Sequence, residues 1–416
     1  MKEGLMYDAI VVGARCGGAS AAMLLARQGA KVLLVDKGTF PSDTTSTHFL
    51  RLSGVRQLHR WGILDRLQAT RPAPIERIHF DLSGTVLVGA PPRIEGLPCE
   101  YAPRRFYLDK VLIDAAIAAG VEFHEAYHVR GLLREGDRVV GISGSGRNEP
   151  NELRARIVIG ADGRHSIVAH EVKPHSYFEQ PSHGFVTYAY HDMEQARSLE
   201  MWLKHERCVT SLPTHDGQTL VIVQWPASLL EHVKHDMQRH YLEAVELVAP
   251  SLAERMRAGH QATHIRGIAD LNGYFRKPYG DGWALVGDAG YLKDPFTGLG
   301  MSDAFLSADL LAAALRSAWT GERSYAEAME GYEKARNDHA GPLYALTCRL
   351  ATLDDLRPST LERMAAVGKT QAQTDILFGF LSGVVELDDL VEYEDVTNLI
   401  VESMEELPGG LLEEVE

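Results

Sequence analysis

The chain reads as an α/β (α+β) protein, with a Rossmann-like domain carrying an inserted β-meander, a second domain built on a mixed β-sheet, and a helical C-terminal segment. Three observations predict this. From Tyr7 to Asp36 an apolar strand, a glycine turn, a small-residue helix, a second apolar strand and a carboxylate follow in that order. Two more apolar strands, far along the chain, run straight into Asp162-Gly163 and Gly287-Asp288. Between them, from about Lys173 to Gly273, the pattern changes to longer alternating strands, which is the signature of a half-buried sheet.

The first strand closes on Val11 and Val12, and Gly13, Gly17 and Gly18 make the turn. Gly18, Ala22 and Ala26 then repeat at i+4, so small side chains let the helix approach the sheet closely. Val32 to Val35 form the second strand. Asp36 ends it about 20 residues after the turn, where a carboxylate can accept from ribose hydroxyls, with Lys37 beside it. A pyrophosphate would sit on the helix N-terminus, held by its free N–H groups and by the macrodipole. One position departs from the GxGxxG pattern, because Arg15 stands where the second glycine is expected. An arginine serves there if its backbone avoids the left-handed region and its side chain points away or reaches a phosphate.

After the polar stretch Gly38–Thr47, one helix is expected with Leu52, Val55, Leu58, Trp61 and Leu64 on one face. Short strands around Ile78 to Val88 turn at Ser83-Gly84. Arg105 and Asp109 open an amphipathic helix through Val111, Leu112, Ala115 and Ala119, stopped by Gly120. Val129–Leu133, Val139–Ser143 and Leu153–Ile159 read as three antiparallel strands, with Glu135-Gly136-Asp137 as a hairpin turn. Further strands are expected at Phe185–His191, Met201–Leu212 and Leu220–Trp225, followed by a helix between Ala227 and Ala258. Trp283–Val286 is a buried strand, and after Gly298 and Gly300 a long helix carries Phe305, Leu306, Leu310 and Leu315. From Tyr325 onward the chain is mostly helical, with an acidic, glycine-interrupted and frayed end. The expected division is 1–75, 102–172 and 274–325 for the Rossmann-like domain, 76–101 and 173–273 for the mixed sheet, and 326–416 for the helical region. No internal repeat is present.

Composition bounds the function. A net charge of −15 argues against a phosphate-tracking nucleic-acid surface and gives an anionic membrane little to attract. Partners are therefore expected to be small molecules. Cys16, Cys99, Cys208 and Cys348 are scattered without a CxxC pair, so neither a disulfide framework nor a metal site is indicated. Met1–Met6 is too short for a signal peptide, and no apolar run is long enough to cross a bilayer. A cytoplasmic monomer or homodimer is expected.

The three motifs together resemble a family, the flavoprotein monooxygenases related to para-hydroxybenzoate hydroxylase, with geranylgeranyl reductases and flavin halogenases as cousins. The resemblance spans roughly Tyr7 to Ala312. It rests on the glycine turn with Asp36, on Asp162-Gly163 as the DG motif, and on Gly287-Asp288, Pro295, Gly298 and Gly300 as the GD motif. It implies non-covalent FAD, reduced transiently by NADPH or NADH, and molecular oxygen as co-substrate. Asp288, at a strand's C-terminal end, is placed to accept from ribityl hydroxyls. Gly298, Gly300 and Met301 begin a helix whose N–H groups would face the flavin's pyrimidine edge and favour negative charge there. Arg105 fits the family's Arg-x-x-[Phe/Leu]-Asp pattern through Leu108 and Asp109, near the cofactor's phosphates or ribityl chain.

Weaker candidates follow from the same resemblance. Ser46-Thr47-His48 precedes a helix that runs close to the isoalloxazine in the family, which makes His48 a candidate to tune the flavin or touch substrate. Tyr188 and Tyr190 lie on one face of a strand expected to floor the substrate pocket, with His191 on the other. Arg266 lies on the approach to the GD strand. The implied activity is hydroxylation of an aromatic or other electron-rich small molecule, as in secondary metabolism, through a flavin C4a-hydroperoxide. An FAD-dependent reductase of carbon–carbon double bonds is the alternative. Halogenation is disfavoured because the WxWxIP signature is absent, Trp225-Pro226 being its nearest echo, and a non-catalytic flavin-binding module is disfavoured by the intact GD segment.

Overall fold

Four apolar strands enter one parallel sheet because both of its faces are covered, so nearly every residue in them is buried. The computed structural model describes residues 6–46, 48–97, 99–147, 149–353 and 358–405. In strand Met6–Val12, Ala9 and Val11 point to one core while Tyr7, Ile10 and Val12 point to the other. Its neighbours are Glu152–Gly160 and Val32–Val35, both parallel to it, and Trp283–Leu285 runs parallel to Glu152–Gly160 beyond. Glu122–His124 extends the far edge, and Tyr279–Gly280 the near one. The hairpin His128–Glu135 and Arg138–Ser145 pairs antiparallel onto Glu152–Gly160, which is the expected meander turning at Gly136-Asp137.

The register aligns the functional turns. Val12 lies opposite both Gly160 and Val35, and Gly160 lies opposite Leu285. All four strands therefore end at one edge, and Gly13, Asp36, Asp162 and Gly287 emerge together. Helices Cys16–Arg27, Arg105–Ala118 and Gly300–Trp319 cover one face, with an apolar core that includes Met23, Leu108, Leu112, Phe305 and Leu311.

The second sheet is mixed, as expected. Strands Gly184–Asp192, Gln218–Pro226, Arg207–Pro213 and Ser198–Lys204 pair antiparallel in that order, and Ser198–Lys204 runs parallel to Arg77–Leu82. One face, through Phe185, Ala189, Val209 and Val223, packs under helices Met237–Val248 and Pro250–Ala258. The other face, through Tyr188, Met201, Leu212 and Ile222, shares a core with the helices of the C-terminal region, including Phe378, Leu399 and Ile400. The segment from Tyr325 to Glu405 thus closes over the mixed sheet instead of standing apart. The expected frayed end, residues 406–416, lies outside the described residues.

Three elements differ from the sequence reading. The helix expected from Leu52 to Leu64 is two, Leu52–Arg60 and Leu64–Ala69, because Gly62 takes a left-handed φ of 69° and turns the chain between them. The strand expected from Met201 to Leu212 is a tight hairpin, whose two turn residues His205 and Glu206 both have positive φ, 53° and 56°. Their types do not announce such a turn, which glycine or asparagine usually supplies. The helix expected between Ala227 and Ala258 breaks twice, at Asp236, which caps the next helix through the Arg239 N–H, and at Pro250, which starts the third.

Close packing at the first turn makes a sharp prediction. A Cβ on Gly18 would overlap the Gly13 carbonyl, whereas Gly29, at φ 90°, has open space around it. Gly18→Ala is expected to cost about 3 kcal/mol or more and Gly29→Ala about 1 kcal/mol, measured by urea unfolding. Equal costs would show that backbone angle, not helix–turn contact, governs the site.

Candidate functional site

The first turn is braced by two arginines ion-paired to one buried aspartate. Gly13 adopts φ 101°, and a Cβ there would lie 2.5 Å from the Ala161 carbonyl oxygen, so only glycine lets the turns after Val12 and Gly160 meet. Arg15 has φ −91° and ψ −159°, which is ordinary extended backbone, so the missing second glycine brings no strain. Its guanidinium turns back to Asp109 at 2.5 Å and to the Ser42 hydroxyl at 3.2 Å, and it stacks on Phe40. Asp109 is completely buried and also accepts from Arg105 Nε at 2.9 Å. Asp36 accepts from the backbone N–H groups of Ala14 and Gly38, both at 2.7 Å, which fixes its carboxylate at the cavity wall.

The DG and GD turns face this one across the sheet edge. Asp162 spends Oδ2 on the Ile167 N–H at 2.7 Å, while its Oδ1 is buried and has no hydrogen-bond partner among the described residues. Burial pushes this carboxyl up from its usual value. Gly287 holds φ 57° and gives its N–H to the Ser307 hydroxyl at 3.0 Å. Asp288 follows, its backbone carbonyl bound by the Tyr274 hydroxyl at 2.7 Å. Its carboxyl is pushed up to about 6, chiefly by burial, with Arg105 opposing the shift and Asp303 adding to it.

Helix Gly300–Trp319 points its N-terminus into the same space, with Gly298, Gly300 and Met301 at the wall. Asp303 in its first turn would work against negative charge gathering there. Lys293 cancels that charge, since its ammonium, almost fully buried, pairs with Asp303 at 2.7 Å. Asp294 is buried too; its Oδ1 accepts from Gln224 Nε2 at 2.8 Å and from the Phe296 N–H at 3.0 Å, and its carboxyl is pushed up to about 6 by burial.

These turns enclose a cavity of about 910 Å³, near the upper end for ligand sites. Gly13, Arg15, Gly17, Asp36, Lys37, Arg105, Asp162, Gly163, Gly287, Asp288, Pro295, Gly298, Gly300 and Met301 line it, so the structure brings the cofactor candidates together. Gly18 lies behind the wall, against the Gly13 carbonyl. Val186, Tyr188 and Ile222 of the mixed sheet form its floor.

Tyr190 and His48 do not reach the cavity, and this corrects the expectation for both. The His48 ring is completely buried, with Nε2 at 2.5 Å from the Tyr190 hydroxyl, and burial drives its pKa down to about 3. The pair anchors the end of the loop whose Thr44, Thr45 and Ser46 do line the cavity; Thr47 lies outside the described residues. Arg104 adds to that anchor, stacking on Tyr190 and pairing with Asp43 at 2.7 Å. His191 faces away, toward the Tyr241 hydroxyl at 3.1 Å. Arg266 is exposed on the strand whose Gly267 and Ile268 line the wall. Sequence reasoning missed Arg164, Lys293 and Asp294; for the last two, adjacent charges between the buried GD strand and Pro295 were the available signal. The four cysteines are buried thiols. Among the described residues no cluster of His, Cys, Asp or Glu could hold a metal ion, and no helix is long and apolar enough to cross a membrane.

The arrangement fits an adenine dinucleotide carrying a flavin. A glycine-only approach meets a helix N-terminus for the pyrophosphate, Asp36 and Asp288 stand at strand ends for ribose and ribityl hydroxyls, and the orphan oxygen of Asp162 awaits a donor. Fold and site together define an FAD-dependent flavoprotein oxidoreductase. The chain belongs to the FAD binding domain family, whose model matches residues 6–346.

Relatives within reach are chemically varied. The chain is 27% identical over 377 residues to a kynurenine 3-monooxygenase of Salinispora arenicola, covering 84% of this chain and 80% of that protein. It is 23% identical over 397 residues to a digeranylgeranylglycerophospholipid reductase of Methanopyrus kandleri, covering 89% and 92%. A flavin-dependent brominase has the same fold, with a TM-score of 0.78, 17% identity and coverage of 96% of this chain and 99% of that one.

Asp288→Ala is expected to weaken FAD binding by about 1.5 to 3 kcal/mol, the worth of a charge-assisted hydrogen bond. Retention of FAD equal to wild type through gel filtration would remove this role. In FAD-free protein the sign reverses. A carboxyl with a folded pKa near 6 and an unfolded one near 4 lowers stability as pH rises between those values. Asp288→Asn should therefore melt higher than wild type above pH 6 and not below about pH 4.

Proposed function

We propose that the protein is an NAD(P)H-dependent monooxygenase that hydroxylates an aromatic or other electron-rich small molecule. Bound FAD would supply the redox chemistry, accepting hydride from a nicotinamide nucleotide and activating molecular oxygen. The chain's own residues hold, orient and shield. The Arg15–Asp109–Arg105 cluster braces the phosphate end, Asp36 and Asp288 fix the sugars, and the N-terminus of Gly300–Trp319, with Asp303 neutralised by Lys293, favours negative charge on the reduced ring. Val186, Ile222 and Leu271 keep the substrate end dry, with Tyr188 as an aromatic platform.

The observation that carries this reading is the lining of the cavity's substrate end, where the Tyr188 ring stands with the apolar Val186, Ile222 and Leu271, a surface that suits a compact aromatic ring. The absence of the WxWxIP signature disfavours halogenation. The nicotinamide nucleotide is assigned a transient role because one dinucleotide fingerprint is present and the resemblance assigns it to FAD.

Two experiments test the proposal. Reduced enzyme mixed with labelled oxygen and a true substrate should place one labelled atom in the product. Full turnover under strict anaerobiosis, with no label in the product, would instead establish the reductase. Asp36→Ala should weaken FAD without changing the preference between NADH and NADPH at saturating FAD, measured by steady-state rates. A large switch in preference would assign the first turn to the nicotinamide nucleotide.

A further inference from the structure

We propose that Asp294 is the acid–base residue of the substrate chamber, accepting through its Oδ2 the O–H of a small phenol-type substrate and taking that proton. This rests, for its role in turnover, on the monooxygenase reading. Asp294 lies where the mixed-sheet floor meets the Pro295 turn, and it lines the cavity while being more than nine-tenths buried. Both hydrogen bonds it accepts land on Oδ1, from Gln224 of the floor strand and from the Phe296 N–H. Oδ2 has no hydrogen-bond partner among the described residues. A carboxylate on a mostly buried residue of the cavity wall, with one oxygen that accepts nothing from the protein, gains from a ligand that brings a donor.

The surroundings say what kind of donor. Val186, Ile222 and Leu271 give an apolar wall beside the Tyr188 ring, which suits an aromatic body bearing a single polar hydrogen. Among the described residues, the cations near Asp294 are engaged elsewhere. Lys293 gives its ammonium to Asp303, and Arg51 is engaged by the Thr297 carbonyl and Glu100. Among the described residues, the Cys208 thiol of the sheet and the Cys348 thiol of the long C-terminal helix also lie within its electrostatic reach, each pushed up to about 12 by burial and so neutral. The carboxyl therefore exchanges its own proton near neutral pH, with a pKa of about 6. In the step, the substrate O–H bond breaks and an O–H bond forms on Oδ2. The electron pair stays on the phenolic oxygen, enriching the ring, and nothing is oxidised or reduced. The proton returns when the product is rearomatised and leaves.

The test uses FAD-loaded, oxidised protein without reductant, so its result does not depend on oxygen chemistry. The probes are 4-methylphenol and 4-methylanisole, which differ by a donor hydrogen, titrated through the flavin absorbance change from about pH 5 to 8, a window in which neither probe ionises. Wild type should prefer the phenol by roughly 10- to 100-fold above pH 6 and lose that preference as pH falls below it. Asp294→Asn keeps an acceptor for Gln224 and Phe296 but puts an amide in place of Oδ2; with FAD content unchanged and no loss of melting temperature, it should abolish the preference at every pH. Asp288 titrates in the same range, so the difference between the two probes is the deciding quantity. Gln224→Met removes a hydrogen bond that favours the charged carboxylate, and should move the midpoint to higher pH. No binding of either probe, an equal preference in Asp294→Asn, or a pH-independent preference would each overturn the proposal. A negative labelled-oxygen result would overturn the monooxygenase reading and leave this binding result standing.

Discussion

The parallel register of the first sheet is the constraint on which the site depends. Because Val12, Val35, Gly160 and Leu285 end level with one another, four turns separated by up to some 270 residues of chain meet at one edge. A slip of one residue would turn every side chain to the opposite face, and both faces are buried, so the two apolar cores hold the register. Position then follows from topology: strand ends supply carboxylates, helix starts supply N–H groups, and glycine admits the close approach between turns.

Much of this was legible in the sequence, because a parallel sheet writes itself as continuous apolar runs and its ligand turns as glycine and aspartate at their ends. Arg15 looked like a flaw in the glycine pattern. It is the partner of Asp109, whose place in the Arg-x-x-Leu-Asp pattern was visible while the pairing, 94 residues apart, was not. The mixed sheet was less legible. Alternation told that Tyr188 and Tyr190 share a face, yet which of them meets the cavity depends on where the Thr44–Ser46 loop and His48 fill the space, a long-range fact. Asp294 and Lys293 were passed over because charges beside a proline read as a solvated turn until the helices from Tyr325 onward are seen to bury them.

Electrostatics links these elements to function. Asp162, Asp288 and Asp294 are acids in a cavity wall, each raised by burial, and the two near 6 cost the empty protein on the order of 3 kcal/mol apiece at neutral pH. Arg105 offsets part of this at Asp288. Asp109 holds Arg105 in place and shares its remaining charge with Arg15, so the cluster is also what limits the cost of the acids it faces.

Such a cavity is stable only in proportion to what fills it. On the proposed reading, ribose and ribityl hydroxyls would bring donors to Asp36 and Asp288, and each bond made there would replace water that an empty site would have to order. Asp294 stands apart from these, because its Oδ1 is tied to Gln224 of the mixed sheet and the residue does not stand at a strand end of the first. On the proposed reading, the same burial that penalises a carboxylate serves two ends: at Asp288 it would strengthen the grip on a resident cofactor, and at Asp294 it would leave a proton acceptor tuned to a ligand that comes and goes. The difference lies in Gln224, which ties Asp294 to the floor on which a substrate would rest.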